Sequence, residues 1–149
     1  MFYHHARHTF LTAHFFKYLG RNVMKTPMQC PKCKNAMHKL DVDMATAYRC
    51  EHCMGLWLAM GAHEQLEDVA EKIDIGNAEL GEHFNQIDDI HCPVCEQAMI
   101  KMVDAQQPHI WFESCQSCYG RFYDAGEYRD LAVYEFSDFM KRFSVIARD

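Results

Sequence analysis

All eight cysteines of this 149-residue chain fall in C-x-x-C pairs: Cys30/Cys33, Cys50/Cys53, Cys92/Cys95 and Cys115/Cys118. A C-x-x-C turn brings two soft thiolates to one point, and two such turns complete a tetrahedron around a zinc ion. Sixteen residues separate Cys33 from Cys50 and nineteen separate Cys95 from Cys115. Both intervals fit the four-cysteine zinc pattern. Four protein ligands leave no position for substrate water, so the spacing points to structural rather than catalytic metal. The expected cofactor is therefore two structural Zn2+ ions. Three other uses of thiols compete. A secreted disulfide framework would need export, and the opening segment reads as no signal peptide. Iron also suits four thiolates. A thiol redox sensor could release its metal on oxidation, although no βαβ context resembles a thioredoxin site.

The cysteines sit in a repeat. "QCPKCKNAM" (residues 29–37) returns as "HCPVCEQAM" (residues 91–99), offset by 62 residues. "CEHCMGLW" returns as "CQSCYGRF" at an offset of 65, so the second copy holds three extra residues between its cysteine pairs. Insertions fall most easily in turns, and "DAQQP" (residues 104–108) is the expected place. Leu40, Val42 and Met44 alternate with Asp41 and Asp43 and predict a strand, as do Ile100 with Met102 and the stretch "HIWFE" (residues 109–113). Each copy is then a hairpin with a cysteine pair at either end. Units of about 40 residues seldom stand on a core alone. A structural zinc supplies about 10–16 kcal/mol of binding coupled to folding. On this reading each copy is its own unit, and replacing Cys50 or Cys115 by Ser unfolds mainly its own half. Gly55 and Gly120, two residues past each last cysteine, are expected at positive φ.

At "CPKC…CEHCMGLWLAMG" and "CPVC…CQSCYGRFYDAGE" the chain resembles a bacterial zinc-ribbon family named for the N-terminal ribbon of general transcription factor IIB. Its pattern is roughly C-P-x-C, a hairpin, then C-x-x-C-x-G-x-W-L-D-x-G-E-L. The resemblance covers residues 28–67 and 90–131. It implies zinc ribbons with zinc held by these eight cysteines, and it implies little about activity. The first copy keeps Trp57 and Leu58 but has Ala59 and Ala62 at the acidic positions; the second has Phe122 and Tyr123 and keeps Asp124, Gly126 and Glu127.

Asp124 with Glu127 resembles a capping box and predicts a helix running toward Ala147. Ala59 cannot cap, so the helix after the first ribbon should start less sharply, with Leu66, Val69, Ala70 and Ile73 as its core stripe. A second short helix carries Leu80, Phe84 and Ile87. The expected fold is small α+β: two tandem zinc ribbons, a helical connector and a C-terminal helix. The expected divisions are an N-terminal extension (1–27), ribbon 1 (28–67), connector (68–89), ribbon 2 (90–126) and C-terminal helix (127–149). His4, His5, His8 and His14 read as incidental, His52 and His91 as bystanders beside complete sites, and Trp57 and Phe122 as packing on their own ribbons. Phe136, Phe139, Met140, Phe143 and Ile146 form an apolar helical face, read as core cover ahead of a partner or homo-oligomer surface.

Charge narrows the function. Formal net charge is −6, and residues 1–23 carry Arg7, Lys17 and Arg21 with no acids, leaving −9 for the remainder. Two four-thiolate zinc sites take that to about −13. Nucleic-acid binding draws on Lys and Arg at phosphates, and only "KCKNAMHK" and "MKRF" offer basic clusters. No apolar run reaches the roughly 18 residues of a membrane span. The sequence is read as a cytoplasmic, non-enzymatic double-ribbon adaptor for protein. Nucleic-acid binding in a transcription-related role and redox sensing are the alternatives.

Overall fold

A computed structural model describes residues 27–133. The apolar C-terminal face from Phe136 to Ile146 and the four N-terminal histidines lie outside the described residues. Each copy contributes three short strands. The first supplies β1 (Met37–Lys39), β2 (Ala47–Cys50) and β3 (Leu56–Leu58); the second supplies β4 (Met99–Val103), β5 (Trp111–Cys115) and β6 (Arg121–Tyr123). Between them lie α1 (Ala62–Gln65), a single 3-10 turn (Glu67–Val69), α2 (Ala70–Ile73) and α3 (Ala78–Asn85). Residues 127–133 are helical and form α4. The fold is mixed α+β, with two zinc ribbons and helices.

The two copies are not separate sheets. All six strands form one antiparallel sheet in the order β1-β2-β3-β6-β5-β4. The junction is β3 on β6, with Leu56 opposite Tyr123, Trp57 opposite Phe122 and Leu58 opposite Arg121. Trp57 and Phe122 are the same position of the repeat, so a pseudo-twofold axis runs between them. The expectation of two self-contained halves is therefore corrected: each third strand is completed only by the other copy.

Alternation along β3 and β6 sends side chains to two cores, the period-two consequence of a pleated strand. Leu56, Leu58 and Tyr123 join Ala62, Leu66, Ala70, Ile73, Tyr128 and Leu131 on the helix-covered face. Trp57 and Phe122 turn to the other face, among the cysteines and Phe84 of α3. Of the predicted connector stripe, Leu66, Ala70 and Ile73 are buried and Val69 is half-buried; of the second helix, Phe84 is buried and Leu80 half-buried, whereas Ile87 lies past the end of α3 and is exposed. The connector begins without a side-chain cap, on Gly61 in the left-handed region, as the Ala59 substitution implies. α3 is capped by Asn77, whose side chain accepts from the Leu80 N–H at 2.8 Å.

Four sequence expectations change. The strand predicted at Leu40–Met44 is a loop; pairing starts beside the cysteine turn with Met37 opposite Cys50. Leu40 and Val42 still pack on the core from that loop, which is why their pattern imitates a strand. The three extra residues do not lengthen the turn, since loops 40–46 and 104–110 are equally long. They lengthen the arms: β4 has 5 residues against 3 in β1, and β5 has 5 against 4 in β2. Asp104 holds the second turn by accepting from the Gln106 and Gln107 N–H groups, both at 2.9 Å. The Asp124–Glu127 capping box is not made. Asp74, fully buried in the connector, caps α4 instead, accepting from the Gly126 N–H at 2.9 Å and the Arg129 N–H at 3.0 Å. Glu127 accepts from the Trp111 N–H rather than from its own helix.

Gly55 and Gly120 are the fourth change. Neither has positive φ; the left-handed residues are the ones just before them, Met54 and Tyr119. A Cβ on Gly120 would lie 2.6 Å from Cζ2 of Trp57, and one on Gly55 would collide with Cζ of Phe122. Each ring therefore seats on the glycine of the opposite copy, not on its own ribbon. Gly55→Ala and Gly120→Ala should each destabilise the zinc-loaded protein by ~1–3 kcal/mol through overpacking. Phe122→Leu should recover part of the loss in Gly55→Ala and none of it in Gly120→Ala. Denaturant unfolding of the two double variants checks this reciprocity.

Candidate metal centres

The four cysteine turns are built alike. The residue after each second cysteine is left-handed: Lys34, Met54, Glu96 and Tyr119 have φ of 63°, 59°, 59° and 58°. That bend lets the chain fold back on the first cysteine. Cys30 N–H donates to the Asn35 carbonyl at 2.8 Å, and Cys92 N–H to the Gln97 carbonyl at 2.8 Å. The later turns repeat it, with Cys50 N–H on Gly55 O at 3.0 Å and Cys115 N–H on Gly120 O at 2.9 Å. Backbone N–H groups two and three residues on then point at the first sulfur of each turn. These dipoles favour a thiolate there.

The predicted ligands come together as two sets, Cys30/Cys33/Cys50/Cys53 and Cys92/Cys95/Cys115/Cys118, with sulfurs in each set within 4.8 Å of one another. Contacts across the turns are close: Cys30–Cys53 3.5 Å, Cys33–Cys50 3.4 Å and Cys92–Cys118 3.6 Å between Sγ atoms. A zinc tetrahedron with Zn–S bonds of about 2.3 Å needs sulfurs about 3.8 Å apart. The donor set therefore fits one structural Zn2+ per site. His52 and His91 are exposed and belong to neither set. Site 1 has one partly exposed cysteine, Cys33; site 2 has two, Cys95 and Cys118.

Without metal the thiols would share few ionisations. The Cys53 thiol, hydrogen-bonded to Cys30, brings Cys30 down to about 6 and is itself driven up by the same bond. In site 2 burial raises Cys115, but the Cys118 and Ser117 N–H groups outweigh it and bring Cys115 to about 7. Burial pushes Cys50 up to about 11 and Cys92 to about 12. Loading metal must displace these protons, so affinity falls as pH falls.

Sequence reasoning missed what joins the sites. Lys32, between the first two cysteines, is fully buried at its side chain and crosses into the second copy. Its Nζ lies 2.6 Å from Glu113 Oε1 and 3.2 Å from Asp124 Oδ2, and donates to the Ile87 carbonyl at 2.9 Å. The residues related to this trio by the repeat are Val94, Tyr48 and Ala59. Copy 1 has neither acid and copy 2 has no lysine at these positions, so the repeat builds this buried ion cluster once and not twice among the described residues. Tyr48 instead packs edge-on to Trp57 at 6.0 Å. The only signal available was the paired absence of Asp at 59 and Lys at 94. Gly76 and Gly81 were also missed; a Cβ on either would collide with Ala125, so the connector crosses the end of ribbon 2 in direct contact.

The sequence signature of the family described as a transcription factor zinc-finger matches residues 29–69 and again 91–133, more than half of the chain. The chain belongs to this family. It carries two tandem copies of the family's zinc ribbon. Comparison with curated proteins and with solved structures found no match.

Because β3 and β6 complete each other, Cys50→Ser should reduce zinc content by more than one ion's share and disturb amide signals in both ribbons. Native mass spectrometry with amide NMR tests this; one ion retained with unchanged signals for 91–123 would contradict it. A second expectation concerns the ion cluster, which has one lysine for two buried carboxyls. Burial, with Glu113 nearby, pushes Asp124 up to about 7 despite Lys32. Its Oδ1 has no hydrogen-bond partner among the described residues, so none of them replaces its lost hydration. A carboxyl raised in the folded state binds its proton more tightly than in the unfolded chain. Its contribution is therefore fullest below about 4 and is lost as pH rises through about 7. Carboxyl-carbon NMR should show Asp124 titrating near neutrality. Lys32→Met should destabilise by ~3–5 kcal/mol, since it strips both carboxyls of their partner.

Proposed function

We propose that this chain is a non-enzymatic adaptor that binds protein, working in a reducing compartment such as the cytoplasm. Both four-thiol sets are complete in themselves, so the metal holds the sheet and function falls to the surface. The observation that carries the reading is the surface itself: an acidic body with an apolar hairpin. The described residues hold eight Lys/Arg against eighteen Asp/Glu, a net charge of −10 with neutral His. The basic residues are largely engaged. Lys32 is buried, Lys101 is on Asp88, Arg49 is on the Ile73 carbonyl, Arg129 is on the Asp74 carbonyl, and Arg121 stacks on Phe112. Phosphate-binding surfaces need the reverse. Ile100, Met102, Val103 and Trp111 stand out on the β4–β5 hairpin at 38–41% exposure. Among the described residues, no helix is long and apolar enough to cross a membrane.

The test is cross-linking of the zinc-loaded full chain in its native cell, before and after nuclease, with duplex DNA titrated in parallel. The expected outcome is a protein adduct that survives nuclease, and duplex binding that is weak at about 0.15 M salt. A tight, salt-sensitive DNA or RNA complex without such an adduct would overturn the reading.

A further inference from the structure

We infer that the free edge of β4 is a strand-docking site, occupied by an extended, basic segment of another protein with apolar residues at alternate positions. This rests on the protein-binding reading above and names where and what it binds. β4 is one of the two outer strands of the sheet. The Met99 N–H points away from β5, donating to the Ile90 carbonyl at 2.9 Å, whereas the Asp104 N–H points inward, to the Ile110 carbonyl. Backbone groups alternate along an antiparallel strand. Lys101 and Val103 therefore turn N–H and C=O outward, and among the described residues no strand lies beyond them.

The opposite edge is built differently. β1 has 3 residues, and its sequence is Met-His-Lys. The extra residues of the second copy went into β4 and β5, and they carry apolar side chains to both faces of the lengthened arm. Ile100 and Met102 lie on one face, Val103 and Trp111 on the other, where Val103 pairs with Trp111 across the ladder. An incoming strand would meet backbone partners at its centre, Ile100 and Met102 on one face, and Val103 and Trp111 on the other, where the Lys101 ammonium lies 5.4 Å from the centre of the Trp111 ring; this is the arrangement of strand addition. An exposed apolar edge left unused is an association hazard.

Charge chooses the occupant. Lys101 is neutralised by Asp88 at 2.9 Å. Asp89 and Glu96 are exposed nearby in sequence, and the described body carries −10. A second copy is itself net acidic, at −6 for the full chain, and would bring like charge to this edge. A basic strand meets complementary charge.

The probe is a blocked peptide of about eight residues alternating Val and Lys, titrated into the zinc-loaded full chain at about 0.15 M salt and followed by amide NMR. The expected result is shifts concentrated on Lys101, Val103 and the Trp111 indole. Affinity should drop at least about tenfold for the Val/Glu peptide and for Val103→Pro. Proline at 103 removes an N–H that faces away from β5, so the β4–β5 ladder and zinc content should persist. If that variant loses its ladder signals, the wild-type shift map and the Val/Glu comparison decide. Equal affinity for the Val/Glu peptide, or shifts elsewhere, overturns the proposal. So do slow exchange of the Lys101 and Val103 amides in the lone monomer, and self-association that Val103→Pro abolishes. Peptide binding undiminished in an intact Val103→Pro variant overturns this edge alone and leaves the protein-binding reading standing. No peptide binding together with tight duplex binding overturns both.

Discussion

Where Trp57 faces Phe122, two hairpins with separate metal sites become a single layer. The contact is small, three residues of β3 against three of β6, yet both cores meet there. Leu56, Leu58 and Tyr123 anchor the helix-covered core, and the two rings anchor the cysteine-lined one. Neither ribbon could keep its third strand satisfied alone, because a buried strand edge without a partner leaves backbone groups unpaired. The glycines after the cysteine turns follow from the same junction, since any larger residue would push a ring out of register.

Around this near-symmetric centre the chain is deliberately unequal. One side of the pseudo-dyad holds the Lys32–Glu113–Asp124 cluster and the other holds Tyr48, Ala59 and Val94. A buried ion cluster is weak evidence for net stability, since desolvation offsets most of its attraction. It does distinguish the correct pairing from a slipped one, because any shift strands three charges in a dry interior. The connector adds a second asymmetry. Asp74 caps α4, and Tyr128 Oη donates to the His63 carbonyl at 2.7 Å. Helices from between the copies are thus fastened to the end of the second.

What was legible in the sequence was what is local. The cysteine sets follow from spacing within turns, because a C-x-x-C bend is closed by its own backbone. The α+β class and the doubled ribbon follow from the repeat. What depended on distant partners was not legible. Gly55 looked like a turn residue because its constraint, Phe122, lies in the other copy. Asp124 looked like a cap because nothing nearby announces that Lys32 will claim it, and the true cap, Asp74, comes from the connector. The alternation at Leu40–Met44 was real but belonged to a loop, since pairing is dictated by the cysteine turn and not by the apolar pattern.

Chain order gives the β3–β6 junction a temporal side. At synthesis rates of ~5–20 residues per second, Trp57 emerges roughly 3–13 s before Phe122. Through that interval the first ribbon can fill its metal site while Leu56, Trp57 and Leu58, all buried in the finished protein, form an open and wholly apolar rim. A contact so distant in sequence is also slow to close. The same rim accepts β6 from any chain, its own or that of a neighbour on the same messenger. Exchange of the second ribbon between nascent chains is therefore a misassembly route inherent in the topology. The sheet avoids it only by closing within one chain first.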